Sequence, residues 1–339
     1  NTEKSLMNTK PRCLVTCRIH PEVVEYLEEH CILDLNRTSE SLRPEELRER
    51  VKEADAVMMF MPDKVDEELL SCAPRLKVIG AALKGYDNFD VEAATRHHVW
   101  LTYVPDLLTA PTAELTVALM LGLSRNVPAG DRRVRTDFQG WRPVLFGTGV
   151  AGSTVGIIGM GRLGQAVAGL LQGWNARLLG FDVSEHAVAG GRELGVDMRP
   201  LEDVLRESDF VLVLTPLTSQ SFKLLDAEHL ALMKEGAFLV NTGRGSCVDE
   251  QAVVRALESG RLAGYAADVF EFEDWALDGR PEKIWPPLLS PELNTLFTPH
   301  LGSAVDKVRL AIEMAAARNI VAVLEGRVPE NPVNCLSAR

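Results

Sequence analysis

The chain has 339 residues, of which 46% are hydrophobic and 25% charged, and this length suffices for two domains that each bury a full core. Its formal net charge of −12 at pH 7 argues against nucleic acid and anionic membrane as binding partners. The polar residues 1–10 lack the apolar centre of a signal peptide, and no apolar stretch approaches the length of a transmembrane helix.

Short apolar strands alternate with amphipathic helices over the first hundred residues. The predicted strands are 12–19, 31–35, 56–60, 76–82 and 99–103, and the predicted helices are 21–29, 44–53, 66–71 and 91–96. Pro44 fits the first turn of its helix, where Glu45 and Glu46 interact favourably with the helix dipole. The alternation predicts a parallel sheet with helices on both faces. Because no nucleotide-binding pattern occurs here, this segment is predicted to form a separate domain.

A long apolar helix is predicted to begin near Pro111, and a more polar stretch follows it up to Thr154. Beyond the next two strands the alternation resumes. It predicts strands at 210–215, 237–241, 264–268 and 295–298, and helices at 227–234, 249–258 and 304–325. The acid- and proline-rich residues 270–294 are predicted to form a long loop, and such a loop inside a compact domain is usually functional.

An apolar strand that begins at Thr154 leads into the pattern Gly-x-Gly-x-x-Gly, formed by Gly159, Gly161 and Gly164. Gly159 permits a tight turn, Gly161 lets the backbone approach a pyrophosphate, and Gly164 lets the following helix pack close to the strand. The amino terminus of that helix would face the phosphates. A glycine pattern alone is common, but strand, glycines and helix in this order predict a Rossmann dinucleotide-binding domain.

The acidic residue Asp182 indicates which dinucleotide binds. It ends the next apolar strand, 176–181, where its carboxylate can accept hydrogen bonds from a ribose diol. Asp182 would repel the additional phosphate of NADP, and residues 183–185 include no arginine to hold that phosphate, so we expect NAD. The predicted cofactor-binding residues are Gly159, Gly161, Arg162, Leu163, Gly164, Asp182, Thr215, Pro216, Asp268 and His300.

Three further motifs follow strands in the second half: residues 241–245 (Asn-Thr-Gly-Arg-Gly), 268–273 (Asp-Val-Phe-Glu-Phe-Glu) and 298–303 (Thr-Pro-His-Leu-Gly-Ser). Together with the dinucleotide pattern they resemble the D-isomer-specific 2-hydroxyacid dehydrogenases over nearly the whole chain. The resemblance implies two α/β domains, each with a doubly wound parallel sheet: a Rossmann NAD-binding domain, residues 108–300, and a flavodoxin-like substrate domain, residues 1–107 with 301–339. It also implies a homodimer built largely through the NAD-binding domain.

The same resemblance assigns roles to three side chains. Arg244 would hold the substrate anion, for which a guanidinium offers a fork of donors. His300 would be the acid/base, because imidazole titrates near neutrality, and Glu273 would orient it and stabilise the imidazolium. Glu271 lies two residues from Glu273, so either carboxylate could face the histidine, and the family pattern favours Glu273.

A closer resemblance, from about residue 12 to residue 329, is to the phosphite dehydrogenases (phosphonate dehydrogenases) within this family. The segments that carry it are 60–63, 82–90, 104–109, 138–141, 270–275 and 301–305. It implies NAD-dependent oxidation of phosphite to phosphate by direct hydride transfer to the nicotinamide, with His300 as base toward water. The partner would thus be a small inorganic oxyanion.

Lys84 is the main departure from ordinary 2-hydroxyacid dehydrogenases, which commonly carry small residues at this place. Phosphite is largely a dianion near neutral pH, so a second cation besides Arg244 suits it, and Gly85 could present its amide to an oxygen. The predicted substrate-binding residues are Met61, Lys84, Gly85, Trp141, Arg244 and Arg309. Trp141 could instead be a packing or interface anchor, and Arg309 could serve a neighbouring carboxylate.

Two alternatives stay open at this point. The first is a glyoxylate or hydroxypyruvate reductase of the same family, which shares Arg244, Glu273 and His300, whereas Lys84 counts against it. The second is an NAD-sensing corepressor on the same fold, similar to the C-terminal-binding proteins. The complete catalytic set favours an enzyme over a binding protein.

The six cysteines show no metal-type pairing, so no metal site is expected, and we interpret them as reduced thiols of a cytoplasmic protein. Met7 precedes the first predicted strand, and residues 1–6 are therefore a candidate leader.

Overall fold

The computed structural model describes residues 10–336, so the candidate leader lies outside the described residues. Two compact units are present: unit 1 comprises the described residues up to Leu108 and from Val305 onward, and unit 2 is Thr109–Ala304. The amides of Leu301 and Gly302 donate hydrogen bonds to Asp268, and all three residues belong to unit 2. Among residues 10–336, every helix is too short or too polar to cross a bilayer.

Unit 1 contains a five-stranded parallel sheet in the order β2-β1-β3-β4-β5. Its strands are β1 (Arg12–Val15), β2 (Ile32–Leu35), β3 (Ala56–Met59), β4 (Val78–Ala81) and β5 (Trp100–Thr102). Its helices are α1 (Pro21–His30), α2 (Pro44–Val51), α3 (Glu67–Ser71), α4 (Val91–Arg96) and α12 (Asp306–Leu324). This order is that of flavodoxin-like sheets, as predicted.

Both faces of this sheet are covered, as the alternation of side chains along β1 shows. Leu14 packs into one buried cluster together with α2, α3 and α4, whereas Cys13 and Val15 pack into a second cluster. That second cluster includes Ile312 and Ile320 of α12, together with side chains of α1. Strands buried on both faces are nearly continuous apolar runs, which is why they were visible in the sequence.

Unit 2 contains a seven-stranded parallel sheet in the order β12-β11-β10-β9-β6-β7-β8. Its strands are β6 (Thr154–Ile158), β7 (Arg177–Phe181), β8 (Asp197–Met198), β9 (Phe210–Val213), β10 (Ala237–Asn241), β11 (Leu262–Ala267) and β12 (Thr295–Phe297). Its helices are α5 (Thr109–Ser124), α6 (Val127–Asp137), α7 (Arg162–Leu171), α8 (Glu185–Glu193), α9 (Leu201–Glu207), α10 (Ala227–Leu232) and α11 (Glu250–Glu258). The strand order reverses between β6 and β9, and dinucleotides bind at such a switch point in Rossmann folds.

Neighbouring residues of β6 again separate two cores. Ile157 packs with α5 and α7, and Ile158 packs with α9, α10 and α11. The prediction of two doubly wound parallel-sheet domains is therefore confirmed.

Several elements differ from the sequence predictions. Helix α6 occupies the polar stretch before Thr154, and none of its residues is buried, so no apolar stripe marked it. The first strand ends at Val15 rather than residue 19, because its pairing with β2 and β3 ends there. The predicted loop 270–294 contains two short 3₁₀ turns, Glu271–Glu273 and Pro286–Leu289.

Candidate active site

The turn from β6 to α7 in unit 2 has the backbone geometry expected of a phosphate-binding turn. Gly159 has φ of +97°, which side chains rarely allow, and a Cβ on Gly164 would collide with the carbonyl oxygen of Gly159. Gly161 precedes α7, and a Cβ there would meet no atom within 4 Å, so the backbone is open on that side. Arg162 and Leu163 form the first turn of α7. These features fit a dinucleotide pyrophosphate.

Asp182 follows β7 directly and lies beside this turn. Its Oδ2 accepts a hydrogen bond of 2.7 Å from the Met160 amide, and its Oδ1 accepts one of 2.8 Å from the Ser184 amide. After β9, the hydroxyl of Thr215 is buried and has no hydrogen-bond partner among the described residues, and Pro216 comes next. The carboxylate and this hydroxyl thus follow two strands of the sheet at the same edge, where a cofactor would bind.

Replacing Asp182 with Ala is expected to improve the use of NADP relative to NAD, because the carboxylate that repels the additional phosphate is removed. The ratio of kcat/KM for the two cofactors measures the effect. The matched control is Asp203→Ala, which removes a carboxylate of α9 in the same unit that is half-buried, as Asp182 is. An unchanged ratio in the Asp182 variant would exclude this residue from cofactor discrimination.

His300 and Glu273 lie together in unit 2. The Oε2 of Glu273 is 2.6 Å from Nδ1 of His300, and its Oε1 accepts a hydrogen bond from the Phe270 amide. Glu271, the other candidate, instead contacts Lys223 at 2.5 Å. The geometry therefore places Glu273, not Glu271, against the imidazole, and leaves Nε2 of His300 as the ring nitrogen available to a substrate.

Asp268, predicted to bind the cofactor, holds the turn that carries His300. Its buried carboxylate accepts hydrogen bonds from the Thr298 hydroxyl and from the amides of Leu301 and Gly302, at 2.6, 2.6 and 2.9 Å. Burial raises the pKa of Asp268, and these hydrogen bonds oppose that rise. His300 itself has φ of +56°, an uncommon conformation for a residue other than glycine that the surrounding bonds must maintain.

Arg244 projects from the turn after β10. The side-chain amide of Asn241 brackets this turn, since it donates to the Arg244 carbonyl at 2.9 Å and accepts from the Gly243 amide at 3.1 Å. The next residue, Gly245, lies so close to Phe270 that an added Cβ would collide with the Phe270 carbonyl. The segment carrying the half-buried Arg244 is consequently in direct contact with the segment carrying Glu273.

Unit 1 carries four of the predicted substrate-binding residues. Met61 follows β3, and Lys84 and Gly85 follow β4, so all three lie at the carboxyl edge of neighbouring parallel strands. All three are half-buried, and Met61 packs against the adjacent core. The buried Asp63 fixes the turn after β3, because its carboxylate accepts hydrogen bonds from the Phe60 amide at 2.8 Å and from a hydroxyl at the end of β1. Burial raises the pKa of Asp63 to about 6.

Arg309, the fourth, lies on α12 in unit 1. Its guanidinium is 3.8 Å from Oε1 of the buried Glu313 and 5.7 Å from the centre of the Phe60 ring. Burial lowers the pKa of Arg309, although the Glu313 carboxylate opposes this effect. Arg309 also lines an open cavity of about 890 Å³, with His20 and Glu313 among its walls. Arg309 thus serves a neighbouring carboxylate, and substrate contact stays a prediction.

Trp141, predicted near the substrate, belongs to unit 2 and is 79% exposed. It is therefore not a packing anchor within the unit. The roles of Glu250 and Asp274 were not identified from the sequence, and Glu271 was considered only as a possible partner of His300. Glu250 and Asp274 are buried, and neither belongs to a metal or nucleotide pattern that could have identified it from the sequence.

Comparison with known proteins identifies the family. Residues 117–302 match the model described as "D-isomer specific 2-hydroxyacid dehydrogenase, NAD binding domain". The chain is 38% identical over 335 residues to the glyoxylate reductase of Pyrococcus furiosus, and 39% identical over 331 residues to that of Aeropyrum pernix. Each alignment covers 96% of both chains.

Solved structures agree with this assignment. A protein of Thermus thermophilus is 36% identical with a TM-score of 0.85, covering 95% of this chain and 100% of that one. An NADPH-dependent glyoxylate/hydroxypyruvate reductase of Sinorhizobium meliloti, solved with NADP and malonate, is 27% identical with a TM-score of 0.80, covering 96% and 97%. The chain therefore belongs to the D-isomer-specific 2-hydroxyacid dehydrogenases, and the unit with the glycine turn contains its NAD-binding domain.

Proposed function

We propose that this oxidoreductase oxidises phosphite to phosphate with NAD. The observation that carries the proposal is Lys84, a half-buried cation in the segment after β4, where ordinary family members commonly have small residues. An acidic protein of net charge −12 needs local cations to attract an anion, and a dianion requires more of them than a monocarboxylate. Partial burial strengthens the attraction because the lysine is less screened by water.

The side chains of this chain divide the work as follows. Lys84 and Arg244 bind the oxyanion and offset its charge, with the Gly85 amide as a further donor. His300 takes a proton from the water that attacks phosphorus, and Glu273 holds the imidazole at Nδ1 and stabilises its cation. The glycine turn and Asp182 would hold NAD, which would supply the acceptor for the hydride of the P–H bond.

A second candidate function is the reduction of glyoxylate or hydroxypyruvate. It is favoured by the relatives, since several proteins similar to this chain over 96% of its length are named glyoxylate reductases. Arg244, Glu273 and His300 would serve that reaction equally well, with the arginine on the carboxylate and the histidine as acid. This candidate depends less on Lys84, because glyoxylate carries only one charge.

One assay separates the two candidates. Purified protein is mixed with NAD and phosphite, and NADH and phosphate are measured in parallel, while NADH consumption is followed with glyoxylate and with hydroxypyruvate. NADH and phosphate that rise in equal amounts support phosphite oxidation. Activity with the oxo acids alone would assign the chain to the second candidate, and inactivity with all three would contradict both.

We also propose a homodimer in the cytoplasm. Helix α6 and the residues after it present large apolar side chains to solvent, a surface typical of protein association. They are Val127, Val134, Phe138, Trp141 and Phe146, with exposed fractions of 57, 60, 56, 79 and 80%. A second copy that covers this surface would remove these side chains of α6 and of the residues after it from water.

The dimer is expected to dissociate when Val134 and Phe138 are both replaced by Glu, because two charges would be buried in an apolar interface. Sedimentation velocity measures the mass of the wild type and the variant. Val328→Glu is the matched control, since Val328 is 70% exposed in unit 1. A monomeric wild type, or a double variant that is still dimeric, would contradict the proposal.

A further inference from the structure

Two segments of unit 2 hold the proposed active-site side chains. The Arg244 segment is residues 241–247, and the Glu273 segment is residues 268–274. They begin at the ends of the paired strands β10 and β11, and beyond Asn241 and Asp268 each consists of a turn and a short 3₁₀ element. Contacts between the two segments therefore help to fix their mutual position beyond the sheet.

Glu250 and Glu271 make a reciprocal contact between the two sides. The Glu250 amide donates a hydrogen bond of 2.9 Å to Oε1 of Glu271, and the Glu271 amide donates one of 2.8 Å to Oε1 of Glu250. Glu250 is the first residue of α11, directly behind the Arg244 segment, and Glu271 begins the turn that ends with Glu273. Each carboxylate thus satisfies a backbone donor of the opposite side.

Further hydrogen bonds connect the two segments to each other and to His300. The Ser246 amide donates to Oδ2 of the buried Asp274 at 2.7 Å, so a third carboxylate joins the two segments. Within the Glu273 segment, the Phe270 amide binds Oε1 of Glu273, whose other oxygen contacts His300. A displacement of Glu271 would therefore be transmitted to the carboxylate that orients the histidine.

Lys223 is the cation beside this pair of glutamates. It contacts Oε1 of Glu271 at 2.5 Å and lies 3.7 Å from Oδ1 of Asp249. The buried hydroxyl of Tyr265, on β11, is a further polar group near the pair. Glu250 is 1% exposed, and its Oε2 has no hydrogen-bond partner among residues 10–336. Burial, together with the charge of Glu271, raises the pKa of Glu250 to about 7.

We propose that Glu250 and Glu271 form a carboxylate staple that fixes the Arg244 segment against the Glu273 segment, and that both are positioning residues for catalysis. The part of this inference that concerns turnover rests on the proposed function. The staple fixes the position of the anion-binding guanidinium relative to the histidine–carboxylate pair. A displacement of about 1 Å between such groups lowers the rate on the order of 10²-fold.

Three variants test the staple. Glu250→Ala removes the acceptor of the Glu271 amide, whereas Glu250→Gln retains a carbonyl oxygen at that place. Asp249→Ala is the matched control, because Asp249 caps the same helix through the amides of Gln251 and Ala252 but makes no part of the staple. With phosphite and with glyoxylate, we expect Glu250→Ala to lose at least about tenfold in kcat/KM while NAD affinity stays within about twofold.

The glutamine variant and the control are expected to stay within about threefold of the wild type. In this pattern the glutamine variant restores activity, and removal of the helix cap does not lower it. Such a result indicates a positioning role, because simple destabilisation would also appear when the cap is removed. Wild-type activity in Glu250→Ala, or an equal loss in all three variants, would overturn the proposal.

A second measurement does not depend on the substrate. Hydrogen exchange followed by mass spectrometry on the ligand-free protein should show faster amide exchange at 241–247 and 268–274 in Glu250→Ala, and wild-type exchange there in Asp249→Ala. If the wild type is inactive with both substrates, the proposed function fails while this measurement still decides the staple. Unchanged exchange in both segments would refute it.

The glutamine variant supplies a further check if the alanine variant does not fold. A raised pKa means that folded Glu250 keeps a proton which the unfolded chain releases, so its contribution to stability is present at low pH and is lost as pH rises through about 7. Glu250→Gln cannot titrate and should show a flatter dependence of the urea midpoint between about pH 5 and pH 8 than the wild type. Identical pH profiles would contradict the buried, proton-holding pair.

Discussion

Replacing His300 with Asn is expected to lower the turnover number by about 10²–10⁴-fold, because asparagine cannot accept a proton from the attacking water. An asparagine amide could still donate a hydrogen bond to the Glu273 carboxylate, which contacts Nδ1 of His300 at 2.6 Å, but it could not form the cation that this carboxylate would stabilise. Steady-state kinetics with the substrate that the wild type uses measures the effect. Asparagine tolerates positive φ well, so the turn around residue 300 should persist.

The matched control for this variant is His98→Asn. His98 is an exposed histidine of unit 1 with φ of 55°, close to the 56° of His300, so the backbone requirement is the same and only the chemical setting differs. The control should retain wild-type turnover. A His300 variant with near-normal turnover, or a loss of equal size in the control, would remove His300 from the role of acid/base.

Replacing Lys84 with Ala is expected to reduce kcat/KM for phosphite by about 10- to 100-fold, since a hydrogen bond to a charged group contributes about 1.5–3 kcal/mol. NAD affinity should stay near normal, because the glycine turn and Asp182 belong to unit 2. Initial rates at varied phosphite, with NAD titrated separately, provide the measurement. Glyoxylate reduction, where the wild type shows it, should fall less because glyoxylate carries one charge.

Lys64→Ala is the control for Lys84. Lys64 is an exposed lysine of unit 1 that lies 3.5 Å from Asp66, and its removal changes the net charge of the protein equally. If phosphite kinetics are unimpaired in the Lys84 variant, the dianion argument fails and the ordinary oxo-acid reductases become the better assignment. An equal loss in both variants would indicate long-range charge rather than contact.

Much of the fold could be predicted because its parallel strands are buried on both faces and therefore stand out as apolar runs. Strand β10 was predicted with its observed bounds, 237–241, for this reason. Helix α6 was not predicted, since it has no buried side chain and no stripe for a periodicity argument to detect.

The candidate site likewise contains residues that the sequence predicts and residues that it does not. Gly159 and Asp182 could be located from sequence because they are close together along the chain and their spacing carries the information. The choice between Glu271 and Glu273 could not be made from spacing, since the two are only two residues apart and their partners, Lys223 and His300, are distant along the chain. Glu250 was invisible for a related reason: its partner Glu271 is distant in sequence, and a buried acid without a metal or nucleotide pattern has no sequence signature.

Unit 1 is assembled from both ends of the chain, because α12 packs through Ile312 and Ile320 onto the sheet formed by residues 12–102. During synthesis, that face of the sheet must wait for nearly two hundred residues of unit 2 to be made before α12 covers it. The intervening unit, by contrast, has its whole sequence available earlier. No amino-terminal fragment that stops before residue 306 can complete the first core, so carboxyl-terminal truncation affects the beginning of the protein as much as its end.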